Sequence, residues 1–291
     1  MFFMKSLFQW VGVAALTTVL AANAANGVGT SKDFKGPVGL QLYSLRADAA
    51  KNVDQALDEA KDFGFKYVEL AGTYGMPPDK FNEALKKRGL KAVSAHFDYM
   101  KYKNDPESVA KEAKDLGLKY AGCAWAAHQG DYDINEAKET VEVFNKAGEV
   151  LAKHGIKFFY HCHGFEFAPN GSETFMDYLI KNTNPKYVTF EMDIFWVFHP
   201  GQDPAKWLAK YPGRWELMHV KDMRHGTERG KFTGGTDVKN DVAIGTGMLN
   251  IPEILKAAQK EGVKYYFIED ESPTVKEQLP VSLKYLSEVK F

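Results

Sequence analysis

The segment Gly155-Ile156-Lys157-Phe158-Phe159-Tyr160 decides the fold, because its arrangement recurs along the chain. A helical stretch ends at a glycine, an apolar residue and a lysine follow, and then a short β-prone run begins. Glycine just beyond a helix adopts the left-handed conformation that closes the last helical turn. Related segments begin at Gly64, Gly89, Gly117 and Gly262. The repeat therefore predicts that helices alternate with strands over most of the chain.

Eight β-prone runs can be placed in this way. We predict strands near residues 38–45, 67–70, 91–97, 120–126, 157–163, 188–195, 215–222 and 265–271. Helical periodicity occupies the intervals, as in residues 53–63 and 135–154. Strict alternation implies parallel strands, and eight such units predict an α/β fold of the (β/α)8 TIM barrel type. An open doubly wound sheet is the alternative, but no Gly-x-Gly-x-x-Gly turn follows the first strand.

The N-terminal residues have the composition of a secretory signal peptide. Lys5 precedes an apolar run from Leu7 to Leu20, and the small-x-small sequence Ala22-Asn23-Ala24 follows. We predict a signal peptide at residues 1–24, an N-terminal extension at 25–36 and a single barrel domain at 37–291. An uncleaved anchor is the alternative for the first segment. The mature protein is expected to be exported to the periplasm and to have no membrane span.

The overall composition limits the kind of molecule that the protein is expected to bind. The chain has 291 residues and a formal net charge of −1, with acidic and basic residues interspersed. This is not the basic footprint of a nucleic-acid-binding protein, so no nucleic-acid partner is expected. We expect a small-molecule sugar or glycoside instead, and the oligomeric state stays open. The sequence also leaves open whether Cys123 and Cys162 pair or remain buried thiols.

Polar residues cluster where the predicted strands end, which is where barrel enzymes place their active sites. The predicted ends of strands five to eight each carry histidine, aspartate or glutamate. These residues are His161, His163, Glu166, Asp193, His219, Glu269 and Glu271. Imidazole and carboxylate groups that converge from several strands are the ligands of a Zn²⁺, Mn²⁺, Co²⁺ or Fe²⁺ ion. Strand alternation further predicts that His161 and His163 share one face, with Cys162 on the other.

The same segments resemble the sugar phosphate isomerase/epimerase family with the xylose isomerase-like TIM barrel. The matching segments are Tyr160 to Phe167, Asp193-Ile194-Phe195-Trp196, Pro200 to Pro204, His219-Val220-Lys221-Asp222-Met223, Gly245-Thr246-Gly247 and Phe267-Ile268-Glu269-Asp270. The resemblance implies one divalent metal ion (Mn, Zn, Co, Mg or Fe), with Asp193, His219 and Glu269 among its ligands. His161 stands where the family has a strand-five glutamate. Either His161 is the ligand or Glu166 folds back to take its place.

The resemblance implies a metal-dependent sugar isomerase or epimerase that abstracts a proton next to a sugar carbonyl. The departure at His161 leaves room for a keto-glycoside lyase or hydratase that uses the same enolate. A non-catalytic carbohydrate-binding barrel is the alternative of another class.

Individual roles can be assigned to the remaining strand-end residues as expectations. Glu269 is the first choice of base and His163 the second, while Lys221 would steady an oxyanion or donate a proton. The substrate-binding residues would be Glu69 and His96 for hydroxyl groups, with Trp125 and Trp196 as an apolar wall. The polar, glycine-rich segment 223–250 has the length of an active-site lid.

Overall fold

The computed structural model describes residues 27–291, which form a closed eight-stranded barrel. The barrel strands are β1 (Val38–Gln41), β2 (Tyr67–Leu70), β3 (Lys91–His96), β4 (Tyr120–Cys123), β5 (Lys157–His161), β6 (Val188–Asp193), β7 (Trp215–Val220) and β8 (Tyr265–Ile268). All neighbours pair in parallel, and β1 pairs with both β2 and β8, which closes the barrel. The predicted TIM barrel is therefore confirmed, while the predicted signal peptide at 1–24 lies outside the described residues.

Helices connect the strands on the outside of the barrel. The α-helices span Arg46–Ala49, Val53–Asp62, Pro78–Lys87, Tyr99–Asn104, Pro106–Asp115, Ile134–Lys153, Phe175–Asn182, Ile194–Phe198, Pro204–Lys210, Ile251–Glu261 and Val275–Glu288. Within residues 27–291, no helix is long and apolar enough to cross a membrane.

The recurring glycine ends a helix in the left-handed conformation, as the sequence predicted. The helix Ile251–Glu261 ends at Gly262, whose φ of 91° is left-handed, and β8 begins three residues later. Local signals also mark helix starts. At the start of the helix Ile134–Lys153, Asp133 and Glu136 form a capping box. Such caps satisfy backbone groups that a helix end leaves unpaired, so the helix boundaries are fixed locally.

Several strands are shorter than predicted. β1 ends at Gln41, and residues 42–45 form a 3-10 turn instead of continuing the strand. β5 ends at His161, after which Gly164, with a φ of 100°, turns the chain back. His163 therefore lies in a turn, and strand alternation does not determine where its ring points.

Polar groups fill both ends of the barrel interior, with apolar side chains between them. Near the N-terminal end, the buried carboxylate of Glu216 accepts hydrogen bonds from Lys157 (2.5 Å), Lys264 (2.8 Å) and the Tyr120 hydroxyl (2.8 Å). This ion cluster closes the barrel on one side. The strand-end residues singled out by the sequence lie at the other, C-terminal end, where a cavity opens.

The two cysteines are free and buried. Of the two states that the sequence left open for Cys123 and Cys162, the structure therefore has the buried thiols.

Candidate metal centre

Four potential metal ligands converge at the C-terminal end of the barrel. His161 and Asp193 are the last residues of β5 and β6, His219 is the penultimate residue of β7, and Glu269 follows β8 directly. One donor atom from each lies within 4.8 Å of the donors of the other three. All four side chains are buried, and the barrel strands hold their donor atoms together.

The donor atoms face one another at short range. His161 Nε2 lies 3.1 Å from His219 Nδ1 and 3.3 Å from Asp193 Oδ2. His219 Nδ1 also lies 3.2 Å from Glu269 Oε2. At most one proton can lie between the two ring nitrogens, so if both carry a proton their N–H groups must point to the two carboxylates while the nitrogens still lie 3.1 Å apart.

Neighbouring groups hold two of these donors in place. The second oxygen of Asp193, Oδ1, accepts the backbone N–H groups of Phe195 (2.8 Å) and Trp196 (3.1 Å) at the start of the next helix. The far nitrogen of His219, Nε2, lies 2.7 Å from Glu69 Oε1. A carboxylate behind a histidine fixes its ring and leaves the other nitrogen available to a metal. Glu69 therefore contacts His219 and does not line the cavity, which corrects the expectation that it binds a substrate hydroxyl.

A second polar cluster lies behind the first and shares the His219 ring. It contains Glu69, His96, Glu191 and His219 Nε2. His96 Nε2 lies 3.0 Å from Glu191 Oε2 and 3.2 Å from Glu69 Oε1. Burial alone would lower the pKa of His96, but the two carboxylates raise it to about 10, so the ring is a cation. His96 also lines the cavity, as expected of a substrate-binding residue.

The sequence-based list of site residues omitted Glu191. It is fully buried, and its Oε1 atom has no hydrogen-bond partner. Because Glu191 stands two residues before Asp193 on β6, strand alternation places both on the inner face. That spacing was the signal that could have identified it.

Lys221 supplies a buried cation beside the four ligands. Its Nζ atom lies 3.0 Å from Glu269 Oε2, 2.9 Å from Glu271 Oε1 and 3.4 Å from Asp241 Oδ2. Burial alone would lower the pKa of Lys221, but these carboxylates hold it well above the ordinary value. Lys221 in turn is the main charge that opposes burial and holds the pKa of Glu269 well below its usual range.

Glu166 lies apart from the ligand cluster. Its two oxygens accept the backbone N–H of His163 at 3.0 and 3.1 Å, and the Tyr160 hydroxyl donates to the same carboxylate. The turn at Gly164 produces this arrangement by folding Glu166 back onto His163. His161, and not Glu166, is therefore the strand-five residue that the structure brings to the other ligands.

His163 and the two tryptophans have different environments. His163 lines the cavity, and burial lowers its pKa to about 3, so its imidazole is neutral. Trp125 also lines the cavity and is 40% exposed. Trp196 is buried behind His163, with ring centroids 4.9 Å apart and an interplanar angle of 22°. The expected contact of Trp196 with substrate is thus corrected to packing behind His163.

The cavity at the barrel mouth has a volume of about 430 Å³, which is within the range of small-molecule sites. Its polar lining residues are His96, His161, His163, Glu269, Glu271 and Asp98, and its apolar lining includes Tyr43, Phe97, Tyr99, Met100 and Trp125. The candidate ligands His161 and Glu269 therefore border a space that a small molecule can enter.

The segment 223–250 returns over this end of the barrel. Residues 222–223 pair with 241–242, and Asp222 accepts the N–H groups of Gly245 (2.9 Å), Gly247 (2.8 Å) and Leu249 (3.1 Å). A Cβ atom placed on Gly234 would lie 2.8 Å from the Trp125 ring. The segment thus contacts the cavity wall, and its expected action as a lid stays a prediction.

The donor set fits a divalent metal ion. Two imidazole nitrogens and two carboxylate oxygens form the mixed nitrogen and oxygen environment that Zn²⁺, Mn²⁺, Co²⁺ or Fe²⁺ accepts. His161 Nδ1 is buried without a hydrogen-bond partner, so the only polar contacts of the ring are those of Nε2 with the other candidate ligands. Nearby carboxylates, chiefly Glu191 and Glu269, hold the pKa of His219 well above its usual value despite burial. The same negative field would favour a cation in place of that proton.

Relatives and solved structures of similar sequence or fold are known. The chain is 24% identical to an inosose dehydratase of Geobacillus kaustophilus over 59% of this chain and 62% of that protein. It is 24% identical to an inosose dehydratase of Clostridium botulinum over 79% of this chain and 86% of that protein. A sugar phosphate isomerase/epimerase from Parabacteroides distasonis superimposes with a TM-score of 0.73 at 27% identity, over 87% of this chain and 99% of that one.

These similarities extend over most of the barrel and agree with the resemblance of the strand-end segments. The family model that describes the xylose isomerase-like TIM barrel matches residues 57–289. The protein therefore belongs to the xylose isomerase-like TIM barrel family.

Proposed function

We propose that this protein is a divalent-metal-dependent enzyme that removes a proton next to the carbonyl group of a sugar or cyclitol. The observation that carries the proposal is the convergence of His161, Asp193, His219 and Glu269 beside a substrate-sized cavity. A metal ion held by these four residues would act as a Lewis acid that stabilises the negative charge developing on a substrate oxygen.

The protein's own groups would handle the proton. Glu269 remains the first choice of base, since it lines the cavity and only its Oε2 atom contacts His219 and Lys221. His163 is the second choice, because its neutral imidazole borders the same space. The Lys221 ammonium group would stabilise an oxyanion or return a proton, as its raised pKa keeps it charged.

We propose elimination as the outcome of the reaction. Loss of the proton leaves its electron pair to form a carbon–carbon double bond, and the β-carbon–oxygen bond then breaks. The oxygen leaves with a proton as water or as an alcohol. An epimerase needs a base on each face of the substrate, whereas His161 replaces one of the two carboxylates and faces His219. The dehydratase names of the two curated relatives support this outcome.

Isomerisation or epimerisation is the second candidate. It was the first expectation from the sequence, and the 27%-identical structure of a sugar phosphate isomerase/epimerase supports it. A non-catalytic barrel is less favoured, because a binding module has no need for the buried Lys221 next to two cavity-lining carboxylates, Glu269 and Glu271.

The test begins with metal analysis of protein purified without chelators, compared with the Asp193→Asn variant. We expect about one metal ion per chain in the wild type and a large loss in the variant. The loaded protein is then incubated with an inosose and with a ketohexose in deuterated water. Formation of an unsaturated product supports elimination, and deuterium in an intact sugar supports isomerisation. A protein that contains no metal and changes neither substrate would refute the proposal.

Export remains part of the proposal as well. It rests on the sequence pattern of residues 1–24. If the pattern is a cleaved signal, protein recovered from the periplasm of an expressing bacterium should begin at Ala25, as determined by mass spectrometry. Recovery of the intact N-terminus in the cytoplasm would contradict it.

A further inference from the structure

The outer part of the cavity is lined by exposed apolar side chains, which removal of a proton from the substrate does not require. Six large apolar side chains are exposed among residues 27–291, and three of them line this one cavity. These three are Tyr43 (42% exposed), Met100 (43%) and Trp125 (40%). They lie in the segments that follow β1, β3 and β4, namely a 3-10 turn, a short helix and a loop, whereas the candidate ligands lie at the ends of β5 to β8. The cavity therefore has a polar side and an apolar side.

The two aromatic rings are held in place. His128 stacks on Trp125 with centroids 5.0 Å apart and an interplanar angle of 18°. The Arg46 guanidinium lies 4.4 Å from the centre of the Tyr43 ring and donates hydrogen bonds to the Tyr43 and Glu271 carbonyl oxygens. Each ring thus has a partner on one face and is still about two-fifths exposed. Exposed apolar side chains that line one cavity are typical of a ligand-binding site.

The cavity size agrees with a ligand larger than one sugar ring. Its volume of about 430 Å³ is within the range of sites that enclose drug-sized ligands. A second cavity of about 250 Å³ adjoins it and shares His96, Phe97 and Asp98 in its lining. A flat ring with an apolar face would cover Tyr43, Met100 and Trp125 and remove them from water.

We propose that Tyr43, Met100 and Trp125 form a stacking subsite for a second ring, joined through a glycosidic bond to the ring that reacts. This inference rests on the proposed function, since it takes the polar side of the cavity as the reaction site. The second ring is recognised by its apolar face, which a pyranose and a planar aglycone both provide. The substrate would accordingly be a two-ring keto-sugar derivative.

Binding to unreactive probes tests the subsite without requiring turnover. Methyl β-D-glucoside, phenyl β-D-glucoside and cellobiose are titrated onto the full-length protein by calorimetry or by ligand-observed NMR. We expect phenyl glucoside or cellobiose to bind at least tenfold more tightly than methyl glucoside. The comparison between these two ligands identifies the kind of second ring. Equal affinity for all three probes would overturn the proposal, even if the enzyme is active.

Substitutions test whether the tighter binding of two-ring probes depends on the proposed subsite. Tyr43→Ala and Trp125→Ala should each weaken binding of the two-ring probe by roughly tenfold, as truncation of a stacking aromatic typically does. Binding of methyl glucoside should change little. Because Trp125 also packs on His163 and Phe165, the Tyr43 variant provides the independent readout. Val281→Ala, an exposed apolar residue on the last helix and outside the cavity, is the control.

The outcomes separate this inference from the proposed function. If the enzyme eliminates water from a one-ring ketone and the Tyr43 and Trp125 variants bind the two-ring probe like the control, the subsite is refuted and the function stands. If two-ring probes bind in the predicted order while no metal is found, the subsite stands and the function fails.

Discussion

Replacement of Glu69 by glutamine tests how the barrel prepares a metal ligand. In the structure, Glu69 Oε1 lies 2.7 Å from His219 Nε2 and also 2.7 Å from Gln41 Nε2. Its other oxygen accepts the Ser94 hydroxyl at 2.5 Å. A glutamine has the same size but replaces one oxygen with an NH₂ group and removes the negative charge that faces the His219 ring.

The size of the effect follows from the role of this contact. A carboxylate that accepts the N–H of a ligating histidine fixes its tautomer and raises its basicity, and its loss typically reduces metal affinity 10- to 100-fold. This range corresponds to about 1.4–2.7 kcal/mol. We expect Glu69→Gln to lie near the upper limit, because Glu69 is fully buried and water cannot take over the role of its charge.

The assay is competition for Zn²⁺ or Co²⁺ between the metal-free protein and a chromophoric chelator. Glu216→Gln is the matched control, since Glu216 is also a buried carboxylate with several donors but lies at the opposite end of the barrel. It should lower the melting temperature and leave metal affinity unchanged. A folded Glu69→Gln protein with wild-type affinity would refute the reasoning, and equal losses in both variants would assign the effect to general destabilisation.

Further predictions concern the strand-five ligand, the buried cation, pH and the thiols. His161→Ala should lower metal content to a small fraction of the wild-type value, while Glu166→Gln keeps it, as measured by elemental analysis. Lys221→Met should retain metal but lose on the order of 100-fold in turnover, within the range for a general acid; unchanged turnover would contradict the assignment. Burial raises the pKa of Glu166 to about 7, so the contribution of Glu166 to the unfolding free energy should fall as pH rises from about 4.5 through 7. Glu166→Gln should flatten that decline in denaturant titrations at successive pH values. Cys123 and Cys162, both buried and free, should react with a thiol reagent only after unfolding, and fast reaction of the native protein would contradict their burial.

Much of the fold could be predicted because its signals are local. Helices end at glycines with left-handed φ, as at Gly155 (75°) and Gly262 (91°), and β-prone residues follow at once. The alternation then determines parallel strands, and the barrel rule places the site at their carboxyl ends. Strand length was less accessible, because two β-prone runs are cut short by local turns, one at Gly164 and the 3-10 turn after Gln41.

The parts of the site that sequence reasoning missed depend on contacts across the barrel. Glu69 was expected at the substrate, but β2 places it behind His219, where it orients the ring. Trp196 was expected in the cavity wall, but the helix after β6 packs it behind His163. Neither placement can be derived from the spacing of residues along one strand. Each depends on a contact with a side chain from a different strand or turn of the barrel.

The charge balance at the barrel mouth supports a metal more strongly than any one distance. Asp193 and Glu269 are buried carboxylates, and together with Asp241 and Glu271 they surround the single ammonium group of Lys221. Buried charges are costly unless they are paired, and one ammonium group does not balance several carboxylates. A proton on His219 partly offsets the excess, but it would occupy the space between two imidazole rings. A divalent ion held there would supply two positive charges, and His161 and His219 would offer it both ring nitrogens. The excess of buried negative charge thus disfavours the metal-free site and would at the same time make the site bind a divalent ion tightly.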